Sequence, residues 1–196
     1  RLRLCRGKTV LAENEGEILF TEYGVSGPAV FEISRHAAIG GEGLTLHLDL
    51  WAEKSHEEIC SHLARRCRSK AGCAGSEQTA GCIFAGVLHS RLGQVVAKAA
   101  GLSPAASLGS LQAADLAALA AQCKDFPLPV TGTCGFDQAQ VTAGGLDTAE
   151  FDPHTLQSRL VSGLYACGEV LDIDGDCGGY NLQWAWSSGR LAGKLL

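Results

Sequence analysis

The sequence predicts a mixed fold, α+β at its start and α/β at its end, on three observations. Leu44, Leu46, Leu48 and Leu50 alternate with Thr45, His47 and Asp49, the period of a half-buried strand. From residue 53 to Lys124 the text is helical, so a helical block lies inside a chain that opens and resumes with strands. The C-terminal stretch runs strand, glycine-rich turn, helix, the order of a nucleotide-binding corner in an α/β unit.

The elements follow in order. Leu2/Leu4, Lys8-Thr9-Val10-Leu11 and Glu17-Ile18-Leu19-Phe20 are strand segments punctuated by Gly7 and Gly16. Tyr23-Gly24-Val25-Ser26-Gly27-Pro28 is a turn into a helix from Ala29 to Ala38. Ser26 is placed to cap it, Pro28 to open its first turn and Gly40-Gly41 to close it. Ser55-His56-Glu57-Glu58 is a capping box, and Ile59 and Leu63 follow on one face. The apolar residues from Ile83 to Val96 predict a helix over Cys82 to Ala100, with a break near Gly93. Leu102-Ser103-Pro104 is a connector, and Leu111 to Cys123 is an alanine-rich helix. After Phe126-Pro127-Leu128-Pro129, short strands are expected at Val130 to Thr133 and Gln138 to Ala143. Leu164-Tyr165-Ala166-Cys167, between Gly163 and Gly168, reads as a buried strand. Asn181 to Leu196 is the closing helix, where Ala185, Gly189, Ala192 and Gly193 form a small-residue stripe for close packing.

Composition narrows the function. The 196 residues are 46% hydrophobic and 19% charged, enough apolar material for a core. With 16 basic against 21 acidic residues the net charge is −5, which argues against a nucleic-acid partner. The one dense basic run is Arg65-Arg66-Cys67-Arg68-Ser69-Lys70. No stretch approaches the ~20 apolar residues of a membrane span, and no signal-peptide pattern opens the chain. It begins at Arg1 and has no Met, so it reads as a segment of a longer reading frame. The nine cysteines form no C-x-x-C pair, which excludes a zinc ribbon and a thioredoxin-type site. Cys60, Cys67, Cys73 and Cys82 are spaced as gap-fillers. His56 and Cys60, four apart with His62 nearby, lack a second ligand pair, so no metal is expected. Scattered free thiols without a leader fit a cytoplasmic location.

The chemistry sits near the end. Gly168-Glu169 follows the apolar run, where open α/β sheets bind ligands and a carboxylate can accept from sugar or ribityl hydroxyls. Gly178-Gly179-Tyr180-Asn181-Leu182-Gln183 leads straight into the last helix. Its glycines permit close backbone approach, and the helix start offers N–H groups with partial positive charge. Such a place suits a phosphate, or the negative charge that develops on a reduced flavin ring. Asp172-Ile173-Asp174-Gly175-Asp176 opens like a calcium loop, but Cys177 and Gln183 stand where that loop needs Gly and Glu. G-x-G-x-x-G, Walker A and G-x-S-x-G motifs are absent.

Three ordered blocks carry a resemblance: residues 17–29 (Glu17-Ile18-Leu19-Phe20-Thr21-Glu22-Tyr23-Gly24-Val25-Ser26-Gly27-Pro28-Ala29), residues 130–145 from Val130-Thr131-Gly132 to Gly145, and Gly163 through Gly193. Together they resemble signatures of the YhiN/BaiN-like family of FAD-dependent NAD(P)H oxidoreductases, which includes aminoacetone oxidases and a bile-acid enone reductase. The resemblance implies a β-barrel-like insert holding a helical bundle, followed by the C-terminal return of a Rossmann-type FAD domain. Residues 1–52 and 125–150 would be the β part, 53–124 the helices and 151–196 the return. It implies FAD as cofactor and a small-molecule substrate, with NAD(P)H as a further partner. The N-terminal Rossmann half of the same protein, with its dinucleotide fingerprint, would be the missing partner of this piece, which alone should not hold FAD tightly. Gly168 and Glu169 would approach the ribityl–pyrophosphate region, and Gly179, Tyr180, Asn181, Leu182 and Gln183 would cradle the isoalloxazine. Residues 140–145, with Thr142, Gly144 and Gly145, would lie near the flavin face. Tyr23, His154 and Glu169 are polar candidates for the chemistry, and none stands out as catalytic. The rival reading is a non-catalytic soluble interaction module whose glycine-rich loops are structural.

Overall fold

The computed structural model describes residues 1–68 and 78–194. Ser69, Lys70 and Cys73 of the sequence reading, and the last two residues of the closing helix, lie outside the described residues. The contacts divide the chain into two compact units, Arg1–Glu15 with Glu42–Thr131 and Gly16–Gly41 with Gly132–Leu196. By contact, residues 16–41 therefore group with the C-terminal tail rather than with the first strands.

The first unit is a four-stranded antiparallel sheet with helices. Strands β1 (Leu2–Arg6), β2 (Thr9–Asn14), β5 (Leu44–Leu48) and β6 (Phe126–Val130) lie in the order β2-β1-β5-β6. The period-two alternation sends Leu2, Leu4, Leu44, Leu46 and Leu48 to a buried face beside Phe126. On the opposite face, Asp125 Oδ1 accepts from the Arg3 guanidinium at 3.3 Å and lies 2.8 Å from His47 Nδ1. The last strand is Phe-Pro-Leu-Pro-Val rather than the expected Val130–Thr133. Its prolines sit on alternate residues at a sheet edge, where a missing N–H costs no ladder bond.

Helix α2 (His56–Arg68) starts at the predicted capping box: Ser55 N–H donates to Glu58 Oε2 at 2.8 Å, and Glu58 N–H donates to Ser55 Oγ at 3.2 Å. It buries Ile59 and Leu63 completely and packs on α4 (Ala113–Lys124), whose Leu119, Ala120 and Cys123 are likewise inaccessible. Burial, with the Asp49 charge nearby, pushes the Cys123 thiol up to about 12. The helix expected from Cys82 is shorter, α3 (Ser90–Ala99), preceded by turns in which Gly86 takes φ +81°. The break therefore falls before Ser90, not at Gly93. Gly93 stays helical and lets α3 approach the turn at Ala80–Cys82, since a Cβ there would stand 3.1 Å from Gly81 O.

The second unit has little regular structure. A two-residue pair, β3 (Leu19–Phe20) with β4 (Val25–Ser26), precedes α1 (Pro28–Gly40). The cap of α1 is Gly27 at φ +104°, not Ser26, because a Cβ at Gly27 would press to 2.9 Å from Glu17 O and no side chain is accepted there. The long helix α5 (Tyr180–Gly193) ends the described chain. Phe151, Leu156, Ala166, Leu171 and Ala192 form the core, with Tyr165, Ile173, Trp184 and Leu191 against it. The expected buried strand Leu164–Cys167 does not form. Leu164 and Cys167 are exposed, only Ala166 is buried, and Tyr165 makes a single bridge to Gln157. A strand buried in a sheet needs neighbours on both edges, and among the described residues one bridge is all it finds. Gln138–Ala143 is likewise irregular, following a 3-10 turn at Phe136–Gln138. No described helix is long and apolar enough to cross a membrane.

One titratable group in the first unit sets a pH dependence. The His62 ring stands edge-on to Trp51, centroids 5.1 Å apart, and Arg65 donates to its Nδ1 at 3.4 Å. Its buried Nε2 has no partner among the described residues. Burial, then the charges of Arg66, Arg65 and Lys54, hold its pKa below the usual 6.5. The unfolded chain takes up a proton near 6.5 while the folded chain resists it, so stability is lost as pH falls below that value. The melting temperature should decline on going from pH 7 to pH 5, and His62→Asn should flatten the decline; an unchanged slope in the variant would contradict the assignment.

Candidate cofactor cradle in the second unit

The irregular segments of the second unit are held by side chains of α5 and by bonds between the loops themselves, not by an extended sheet. Gly168 adopts φ +73°, a conformation an L side chain rarely takes. Its N–H donates to the buried Ser188 Oγ at 2.9 Å, and its carbonyl accepts from Trp184 Nε1 at 3.0 Å. Ser188 Oγ in turn donates to Trp184 O at 2.6 Å, so one hydroxyl serves as acceptor and donor. Ser188 and Ala192 are the buried small residues of α5. The expected stripe therefore shifts, because Gly193 is exposed and Gly189 and Gly193 have nothing within 4 Å of a built Cβ.

Residues 142–146 are joined to residues 168–172. Glu169 Oε1 accepts from Thr142 N–H at 2.5 Å, and Asp172 Oδ1 accepts from Gly144 N–H at 3.1 Å. Leu146 N–H donates to Val170 O at 2.8 Å, and Asp172 N–H donates to Leu146 O at 3.0 Å. Gly145 is the crossing point, where a Cβ would stand 2.6 Å from Val170 O and 2.8 Å from Asp172 N. Glu169 is exposed, no buried strand precedes it, and one of its oxygens already serves the loop.

At the start of α5, Gly178 and Gly179 take φ +124° and +95°, and Gly179 is the left-handed residue before the helix. Asn181 closes the turn in both directions: its Oδ1 accepts from Gly175 N–H at 2.7 Å and its Nδ2 donates to Gly175 O at 2.9 Å. Gln183 N–H returns to Gly179 O at 3.0 Å, which leaves the preceding N–H groups of the first turn free of intrahelical bonds. Cys177 through Tyr180 and Leu182 are exposed, Tyr180 at 65% and Leu182 at 62%, so the bend is not sealed inside packing. Gln183 is exposed and its amide donates to Ser187 Oγ at 2.9 Å. The Cys177 thiol is pushed up, first by burial and then by its hydrogen bond to Glu32 and the charges of Glu32 and Asp176, so it stays protonated.

The structure thus brings Thr142, Gly144 and Gly145 to Gly168 and Glu169, and Gly168 to α5. The polar candidates Tyr23 and His154 do not join them: both are exposed, and no hydrogen bond or ion pair links either to Glu169. Among the described residues no three His, Cys, Asp or Glu side chains gather to hold a metal. His56 and Cys60 face each other along α2, Sγ to Nδ1 3.8 Å, and the other ring nitrogen lies 3.2 Å from Ala117 O. Sequence reasoning missed Ser188, Trp184 and Asp172. Ser188 and Ala192 were legible as small residues at the spacing of one helix face below Trp184, with a hydroxyl that needs a partner once buried.

A family model described as HI0933-like protein Rossmann domain matches residues 21–195. The chain is 41% identical over 195 residues to a 3-dehydro-bile acid delta(4,6)-reductase of Clostridium scindens, an alignment covering 96% of this chain and 46% of that protein. It is 37% identical over 183 residues to a ribosomal RNA dihydrouridine synthase of Escherichia coli, covering 92% and 41% respectively. For the protein of that name in Haemophilus influenzae the identity is 32% over 172 residues, covering 88% and 40%. The chain therefore spans a little under half the length of these relatives.

The crossing at Gly145 gives a local test. Gly145→Ala puts a methyl group against backbone, which must move, so Leu146 N–H and Asp172 N–H should lose exchange protection at least tenfold. The cost should be about 1–3 kcal/mol, the range for an added methyl group in a filled space. Unchanged protection would show that the two segments are not joined there.

Proposed function

The chain belongs to the HI0933-like Rossmann domain family, and from that premise we propose that it supplies part of the FAD site of an oxidoreductase whose remaining part is polypeptide outside this sequence. The observation that carries the reading is the open bend Cys177–Tyr180 running into α5. Gly179 leaves room above the backbone, since a Cβ there meets nothing within 4 Å, and a Cβ at Gly178 would meet only the Tyr180 ring at 3.7 Å. Across the loops, a Cβ at Gly144 also meets nothing within 4 Å. The free N–H groups of the first turn supply donors for a negatively charged group. These features fit a flavin. Gly179, Tyr180, Asn181, Leu182 and Gln183 would hold the ring, with Thr142, Gly144 and Gly145 at its face and Gly168 and Glu169 toward the ribityl–pyrophosphate part. FAD, when bound, supplies hydride chemistry. In this reading the first unit, with its sheet and helices, is the insert that the family resemblance implies.

The activities named for the relatives point to one substrate chemistry. A delta(4,6) 3-oxo steroid and the C5–C6 bond of a uracil both present a carbon–carbon double bond conjugated to a carbonyl. The proposed reaction is reduction of such a bond, with hydride delivered to the carbon remote from the carbonyl and a proton to its neighbour. NAD(P)H is the proposed source of the hydride.

The test is the full-length protein that contains this chain. Purified, it should carry flavin absorbance and, with NADH or NADPH, should bleach the ultraviolet absorbance of a conjugated steroid dienone or produce dihydrouridine in ribosomal RNA. A well-folded protein that takes up no FAD would overturn the reading.

A further inference from the structure

Two side chains of α1 reach the segment that leads into α5, one helical turn apart. The Glu32 carboxylate accepts from the backbone N–H of Cys177, and the Arg35 guanidinium pairs with the Asp174 carboxylate, whose side chain is 21% exposed. Residues three apart on a helix share a face, so both contacts come from one side of α1. They bracket Gly175, the residue that Asn181 holds through both its N–H and its carbonyl. The segment 174–177 is therefore fixed from two directions, by α1 and by the first turn of α5. Just after it, Gly178 and Gly179 take left-handed conformations, and of the two the Gly179 carbonyl is bonded forward to Gln183 N–H. Without the α1 contacts, the glycine pair would be free to vary the direction in which the first-turn N–H groups point.

The contacts also explain the acids of the loop. Asp172, Asp174 and Asp176 look like the opening of a cation site, yet Asp172 accepts from Gly144 N–H and Asp174 is held by Arg35. Two of the three carboxylates are thus committed to joining segments.

We propose that Glu32 and Arg35 are positioning residues that set the bend Asp174–Gly179, and through it the aim of the first-turn N–H groups of α5. The functional part of this inference rests on the flavin reading above; the positioning part does not.

The experiment separates the two in the full-length protein. In the FAD-free form, Glu32→Ala should raise the exchange rate of the Cys177 amide at least tenfold, and Arg35→Glu should do the same for amides 175–179. In the FAD-loaded form, Arg35→Glu should weaken FAD binding at least tenfold and change the fine structure of the flavin visible band. The charge-swapped pair Arg35→Glu with Asp174→Arg should restore binding to within about threefold, at a melting temperature equal to that of Arg35→Glu or higher. Unchanged exchange in both single variants overturns the positioning role, whether or not FAD binds. Accelerated exchange with unaltered FAD affinity and spectrum confines the role to structure and overturns its link to the cradle. If the unmodified protein takes no FAD, the flavin reading falls and the exchange rates alone decide the positioning.

Discussion

The second unit depends on how the backbone of one residue is held on both sides of its Cα. Gly168 sits in a left-handed conformation with its N–H on Ser188 and its carbonyl on Trp184, both from α5. A buried peptide without partners costs about 1–3 kcal/mol per group, so this clasp decides whether residues 168–172 can lie against the helix. Those residues in turn hold 142–146 through Glu169, Asp172 and two backbone bonds. The order of dependence runs from α5 to Gly168, then to the 168–172 segment, then to the glycines at 144 and 145. Here side chains do what a sheet does in the first unit, where the ladders of four strands satisfy the backbone directly.

Charge is divided between the units in a way the whole-chain value conceals. Counted from the sequence, the first unit has 12 Lys and Arg against 10 Asp and Glu, and the second has 4 against 11. A unit with a net charge of −7 repels anions at long range, so an anionic group binding there needs close donors rather than a field of basic side chains. Helix-terminal N–H groups meet that need, since their partial charge acts over a few ångströms and brings no counter-charge. Of the second unit's cations, Arg35 is already engaged by Asp174.

Legibility followed the strength of local signals. The Leu44–Leu50 alternation, which is strand as far as Leu48, and the Ser55–Glu58 capping box were readable because each is determined by residues within one element. Phe-Pro-Leu-Pro-Val is not legible as a strand in sequence, because proline is compatible with a strand only at an edge, and edge position is a tertiary fact. Leu164–Cys167 failed in the opposite sense: an apolar run signals burial, but burial as a strand requires neighbours that the run itself does not encode. The candidate glycines at 168, 178 and 179 were visible in sequence, and all three adopt positive φ. Their partners were not, because Ser188, Trp184, Glu32 and Arg35 read as ordinary helix residues until the loops are laid beside them.

Amide exchange in the full-length protein, compared with and without FAD, addresses the central claim most directly. The account predicts that the N–H groups of Tyr180, Asn181 and Leu182 become at least tenfold more protected when FAD binds. FAD binding that leaves those three amides exchanging at their original rates would contradict it.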